Sequence, residues 1–306
     1  MRYRFYTADV FTDRVFGGNP LAVFPEARGL PPDQMREVAR EFNLSETVFV
    51  FPAEQAGHTR RLRIFTPGAE LPFAGHPTIG TAHVLASIGE ITLEGDVTNV
   101  VFEEGVGPVP VSIHAEDNRP VSAKLTGAKL PEFGPPVPPL EAIASVLSLD
   151  ASDLLGGKTE PQAVSCGVPF LFVPVRDRNA LRRVQVNQAL WKRTISSFWA
   201  PHLYVFTYDP EVSDSDLRAR MFAPGMGIEE DPATGSAATA LAGYLGVREE
   251  ILDGTLRWKV EQGFEMGRPS ILHVEADKKK DQIVSVRVGG ASVLVSEGTM
   301  EIPNLA

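Results

Sequence analysis

Three residues stand where their types could move a proton. Glu46 opens the apolar run "TVFVFP", so its carboxyl is expected at the edge of a buried strand, where its protonation can be tuned. His76 lies in "FAGHPTIGTA" and Asp231 in "EEDPATGSAATA", each followed at once by a proline and then by small residues and an apolar helix. A shielded carboxylate close to carbon is a competent general base, and it can return the proton to another carbon on the same face. An imidazole and a second carboxylate can orient a substrate and relay protons.

Each of these residues also has a plainer role open to it. Glu46 could face solvent after a helix, His76 could be a satisfied core histidine, Asp231 could cap its own helix, and Ser236 could bond within its turn. The case for chemistry rests on the pairing. The chain builds an unusual helix start twice, about half its length apart, with Gly75 and Pro77 in one and Pro232, Thr234, Gly235 and Ser236 in the other. A first-turn proline costs no helical hydrogen bond. Glycine lets backbone approach a ligand. A buried helix start leaves N–H groups that side chains or a ligand must satisfy. Two such starts facing one cleft would suit a small carboxylate.

The elements that must position these residues follow from the hydrophobic pattern. Both helices are apolar nearly all round ("IGTAHVLASI" and "SAATALAGYL"), so each is expected inside a sheet or barrel. Strands are expected in "YRFYTADVF", "NPLAVFP", "SETVFVFPA", "TRRLRIFTP" and "TNVVFEEGVGPVPVSIHA", with an amphipathic helix over 31–43 carrying Met35, Val38, Ala39 and Phe42 on one face. The proline-rich stretch "KLPEFGPPVPPLEAI" (129–143) is the best linker candidate. A short helix in "PLEAIASVLSL" follows, and then the plan repeats. "AVSCGVPFLFVPV" is strand-like, "NALRRVQVNQALWKRTI" helical, and "HLYVFTYD", "TLRWKVEQG", "SILHVEAD" and "QIVSVRVGGASVLVSEGTMEI" are strand-like; "DLRARMFAP" is mixed. "EADKKKDQ" reads as a charged hairpin turn. Strands succeed one another without regular strand–helix alternation. The expected class is therefore α+β, with mixed, largely antiparallel sheets in two similar domains, 1–128 and 129–306, the last strand able to return to the N-terminal domain.

The 306 residues suit two domains, and 43% hydrophobic against 22% charged residues suits packed cores. A net charge of −10 argues against nucleic acid and anionic membrane as partners. The single cysteine, Cys166, excludes a disulfide within the chain, and the N-terminus lacks the apolar core of a signal peptide, so a soluble cytoplasmic protein is expected. Cys166 is most simply a small buried hydrophobe. The six histidines form no His-x-x-x-His spacing and no Cys-x-x-Cys exists, so no metal site is expected.

"GGNPLAVF", "NLSETVFV", "FAGHPTIGTA", "DPATGSAA" and "EQGFEMGRPS", in this order and spacing along essentially the whole chain, resemble the phenazine-biosynthesis PhzF-like family. The resemblance implies the diaminopimelate epimerase-like fold: two similar domains, each a curved sheet wrapped around a central helix, with the active site between them. It implies a cofactor-independent isomerase and a homodimer. The family's known enzyme isomerises trans-2,3-dihydro-3-hydroxyanthranilate. Residue by residue, Glu46 matches the catalytic acid/base, and His76, Asp231 and Ser236 match other site residues. Asn19 and the Gly75 backbone look like substrate-orienting positions, with Thr234 and Gly235 at the second helix start; Gln262, Gly263 and Arg268 lie in a shared motif. The related epimerases carry a cysteine near each helix start, where motif alignment places Gly80 and Thr234 here; two-thiol racemisation is therefore not expected. The leading expectation is an isomerase moving a proton between carbons of a small unsaturated carboxylic acid. The alternatives are an epimerase or racemase of an amino-acid-like substrate and a catalytically silent ligand-binding protein on the same fold.

Overall fold

The computed structural model describes residues 1–303. Two compact units are formed, one by Met1–Thr126 with the chain from Gly289 onward, the other by Gly127–Val288. The last three residues of the expected second domain lie outside the described residues.

In the first unit the order is β1 (Arg2–Val10), β2 (Asn19–Phe24), α1 (Pro32–Phe42), β3 (Glu46–Pro52), β4 (Arg60–Phe65), β5 (Glu70–Leu71), α2 (Gly75–Ser87), β6 (Val97–Glu104), β7 (Gly107–Glu116) and β8 (Arg119–Thr126). β1 and β2 are antiparallel, β2 and β3 parallel, β3 and β4 antiparallel, and β4 and β6 parallel; β6, β7 and β8 form an antiparallel meander. The curved sheet wraps α2, which packs against β1, β2, β3, β7 and β8. Every α2 residue from Gly75 to Ala86 is buried, as its unbroken apolar pattern requires. α1 covers the outer face, where Met35, Val38 and Ala39 meet Phe24, Phe49 and Phe65. It stops at Asn43, whose left-handed conformation (φ 50°) turns the chain toward Glu46 while its N–H bonds Ala39 O.

The second unit runs β9 (Glu132–Phe133), α3 (Leu140–Val146), β10 (Gln162–Ser165), β11 (Pro169–Pro174), α4 (Arg178–Arg183), α5 (Gln188–Thr194), β12 (His202–Thr207), β13 (Leu217–Ala223), β14 (Ile228–Asp231), α6 (Gly235–Gly246), β15 (Gly254–Gln262), β16 (Ser270–Lys279) and the first part of β17 (Gln282–Glu301). From Ser292 to Glu301, β17 pairs antiparallel with β1. The pairing logic of the first unit recurs: β11 and β12 are parallel, β12 and β13 antiparallel, and β13 and β15 parallel, with β14 and α6 between them in sequence. α6 is buried among β10, β11 and β16, and α3, α4 and α5 cover the outer face around Ile143, Leu181, Trp191, Val173 and Val205.

Three expectations change, and one strand was not foreseen. "NALRRVQVNQALWKRTI" is not one helix: Val184 ends α4, and Asn187 starts α5 by accepting from Leu190 N–H at 3.0 Å. The proline-rich stretch is not only linker, since Glu132 and Phe133 pair with β10. "DLRARMFAP" is a fully buried strand, β13. β8 was not legible, because "RPVSAKLT" buries only two of its residues. The "KKKD" turn is a hairpin, with Lys280 and Asp281 both at positive φ.

Candidate active site

Glu46 is the first residue of β3 and lies opposite Leu21 on the parallel β2. Position alone buries it to 8% exposure, because the strand it opens is core from its first residue. His76 is the second residue of α2, and its Nε2 lies 3.1 Å from Glu46 Oε2. The approach is close but not aligned as a hydrogen bond at the imidazole nitrogen. Burial pushes the His76 pKa down to about 3, so at neutral pH the ring is uncharged. The short separation invites reading a charged pair, but burial of both groups makes the neutral imidazole the better description. A neutral imidazole beside a carboxyl can pass a proton either way. Asn19, the first residue of β2, and Gly75, the first of α2, are both fully buried in the same unit. The N-cap of α2 is Ala74, whose methyl group offers no acceptor to the first N–H groups.

In the second unit Asp231 closes β14. Its Oδ2 accepts from Thr234 Oγ1 at 2.5 Å. Thr234 is the N-cap of α6, so Asp231 does not cap that helix itself. Gly235 is the first helical residue, and Ser236, the second, is half-buried. The loop is organised by Gln262 at the end of β15. Its Nε2 donates to Asp231 O at 2.8 Å and to Thr234 Oγ1 at 3.0 Å; its Oε1 accepts from Thr234 N–H at 3.2 Å and from Tyr204 O–H at 3.3 Å. Gln262 is 1% exposed, and these bonds satisfy both its amide oxygen and its amide nitrogen. Burial first, and Asp231 second, keep the Tyr204 phenol protonated far above its usual range. Arg268 N–H bonds Gly263 O across the tight turn that follows.

The repeated topology corrects the way the two helix starts correspond. In the sequence, His76–Pro77 pairs by eye with Asp231–Pro232. In the structure the N-caps Ala74 and Thr234 are equivalent, as are Gly75 and Gly235. His76 therefore corresponds to Ser236, and Pro232 to Pro72. Gly105 confirms it, because a Cβ there would meet Pro72 Cα at 2.8 Å, as one on Gly263 would meet Pro232 Cα at 3.0 Å. Gly80 is likewise not the counterpart of Thr234; it lies six residues past Ala74, where Val10 and Leu21 crowd it. Neither helix start carries a thiol. Cys166 is half-buried in the turn between β10 and β11 rather than fully buried, with Sγ 3.8 Å from Thr239 O, and burial pushes its pKa up to about 12. No cluster of metal-binding side chains occurs among the described residues. No helix among them is long and apolar enough to cross a membrane.

Reading the sequence missed two groups. His202 opens β12 opposite Phe170, as Glu46 opens β3 opposite Leu21, and burial lowers its pKa. The matching of "HLYVFT" with "ETVFVFP" was the available signal. Glu104, at the end of β6, is buried against Thr78 of α2.

Solved structures share this architecture. A PhzF-family phenazine biosynthesis protein of Bacillus anthracis superposes with TM-score 0.89 at 25% identity, covering 99% of this chain and all of the other. A hydroxyproline epimerase of Agrobacterium vitis shares the fold with TM-score 0.64 at 13% identity, covering 97% and 92%. An uncharacterised isomerase of Mesorhizobium japonicum is 39% identical over 297 residues, 96% of this chain and 97% of its own. Two curved mixed sheets, each around a buried helix whose start carries polar side chains, thus define an isomerase of the epimerase-like fold. The trans-2,3-dihydro-3-hydroxyanthranilate isomerase of Pseudomonas aeruginosa is 34% identical over 297 residues, 97% of this chain and 98% of that one. The phenazine biosynthesis-like family model, PhzC-PhzF, matches residues 8–298, and this chain belongs to that family.

Proposed function

We propose that this protein is a cofactor-independent isomerase that shifts a proton between carbons of a small unsaturated carboxylic acid, with trans-2,3-dihydro-3-hydroxyanthranilate or a close analogue as substrate. The observation that carries the reading is the buried Glu46–His76 pair, a carboxyl and a neutral imidazole 3.1 Å apart at the start of a buried helix. Glu46 takes the proton from one carbon and returns it to another, and His76 orients the substrate and relays the proton. N–H groups at the α2 start, which no side chain caps, hold the substrate carboxylate, with Asn19 and Gly75 orienting it. Asp231, Thr234, Gly235 and Ser236 are proposed as further site residues on the family resemblance alone. The protein works as a cytoplasmic homodimer.

The test is turnover of trans-2,3-dihydro-3-hydroxyanthranilate followed by mass spectrometry in D2O, comparing Glu46→Gln, His76→Ala and Asp231→Ala. Glu46→Gln keeps size and polarity but cannot accept a proton. Its turnover should fall on the order of 10²–10⁴-fold with folding intact. Wild-type turnover in Glu46→Gln, with either other variant inactive, would assign the base to the wrong residue.

A further inference from the structure

Glu104 and Gln262 occupy the same place in the two units. β4 runs parallel to β6 with Arg61 opposite Glu103; β13 runs parallel to β15 with Arg218 opposite Glu261. Glu103 accepts from the N–H groups of Glu54 at 2.9 Å and Gln55 at 2.7 Å, and Glu261 accepts from those of Glu211 at 2.9 Å and Val212 at 2.6 Å. The next residue is Glu104 in one unit and Gln262 in the other. Each is followed by a glycine packed on the proline that precedes a central helix, Gly105 on Pro72 and Gly263 on Pro232. Gln262 ties down the start of α6, and Glu104 reaches the first turn of α2.

The hydrogen positions at Glu104 decide its charge. Thr78 Oγ1 lies 2.7 Å from Ala74 O and 2.6 Å from Glu104 Oε1. The hydroxyl has one proton, and a backbone carbonyl can only accept. If that proton goes to Ala74 O, the short contact to Glu104 requires the carboxyl to bring its own. Glu104 Oε2 is buried with no hydrogen-bond partner, which raises the cost of ionising this carboxyl. We propose that Glu104 works as an uncharged carboxylic acid that positions the start of α2, and with it Gly75 and His76, as the permanently neutral Gln262 positions the start of α6. Burial pushes the Glu104 pKa up to about 8, in keeping with this. The charged groups that line the same surface cavity, of about 510 Å³, are Glu54, Arg61, Arg63, Glu70 and Glu103. Arg61 and Arg63 are engaged by Glu54 and Glu70, and Glu103 by His58 and two amides. On α2 the helix's own titratable side chains, His76 and His83, are both held neutral by burial. Once Glu104 loses its proton it can only accept, so the Thr78 hydroxyl must turn from Ala74 O to the carboxylate, which changes the bonding of the first turn of α2.

The positioning role at His76 rests on the isomerase reading; the protonation state does not. The experiment follows the Glu104 carboxyl carbon and the amides of Gly75 and His76 by NMR from pH 5 to 9.5, in wild type, Glu104→Gln and Glu104→Ala. The carboxyl should titrate with a midpoint near 8, the two amides should move with that midpoint, and in Glu104→Gln they should stay put. With trans-2,3-dihydro-3-hydroxyanthranilate, kcat should fall about tenfold or more in Glu104→Ala, since small misplacements of catalytic groups are costly. Glu104→Gln should rescue most of that loss and remove the decline above pH 8. A carboxyl midpoint in the ordinary range near 4.5, or amides that titrate alike in Glu104→Gln, overturns the proposal. Absence of turnover in wild type would sink the substrate assignment and leave both NMR readouts to decide this inference.

Discussion

Replacing Gln262 by Met should unlock the second helix start at a cost that follows from its hydrogen bonds. The side chain keeps its volume, so little cavity forms and the packing loss is small. Asp231 O, Thr234 N–H and Tyr204 O–H each lose a partner inside a site from which water is excluded. Thr234 Oγ1 keeps Asp231 Oδ2. At about 1–3 kcal/mol for each buried group left without a partner, the three together should cost about 3–9 kcal/mol. The assay is urea unfolding followed by tryptophan fluorescence. Trp191, Trp199 and Trp258 all lie in Gly127–Val288, so the signal reports the unit that holds Gln262. Gln262→Glu supplies an internal control. If its carboxyl stays protonated it can still donate once and accept once, so it should fall between wild type and Gln262→Met below neutral pH and approach Gln262→Met as pH rises. A loss below about 1 kcal/mol in Gln262→Met would mean that the loop from Asp231 to Thr234 is held by something other than this side chain.

Gly80→Ala places a Cβ 2.5 Å from Val10 Cγ2 and 2.6 Å from Leu21 Cδ2, both in the core. Overpacking of about 1–3 kcal/mol should outweigh the helix-propensity gain of about 1 kcal/mol, so calorimetry should show a lower Tm; an unchanged or higher Tm would refute the tight contact. His83 is 6% exposed, and burial holds its pKa at about 4, below the ordinary 6.5. Its folded-state pKa is depressed, so the unfolded chain binds the extra proton between these values. The stability it contributes is present above pH 6.5 and is lost as pH falls toward 4, by about 2–3 kcal/mol. His83→Met should flatten that stretch of the acid-stability curve, measured by calorimetry at pH 7 and 4.5. An equally steep decline in the variant would assign the acid sensitivity elsewhere.

The sequence by itself determined the two central helices, because residues apolar on every face can only be buried, and it determined most strands, because their alternation or apolar runs are local properties. It also placed Glu46, His76 and Asp231 beside buried elements, since a polar residue at the mouth of an apolar run cannot move far from the core edge. The turn at Lys280 and Asp281 was legible for the same local reason. The correspondence of the two halves was not. His76–Pro77 and Asp231–Pro232 look alike in one dimension, but strand pairing sets which residue caps each helix, and pairing is a long-range property. The break between α4 and α5 depends on an Asn187 side chain finding Leu190 N–H, against a run of good helix formers. Glu104 and Gln262 lie 26 and 28 residues from the loops they hold, in strands whose patterns mark them only as polar ends. Only the tertiary structure brings those ends to the helix starts. There burial makes a glutamate behave as a neutral acid and gives it the work that a glutamine does in the other unit.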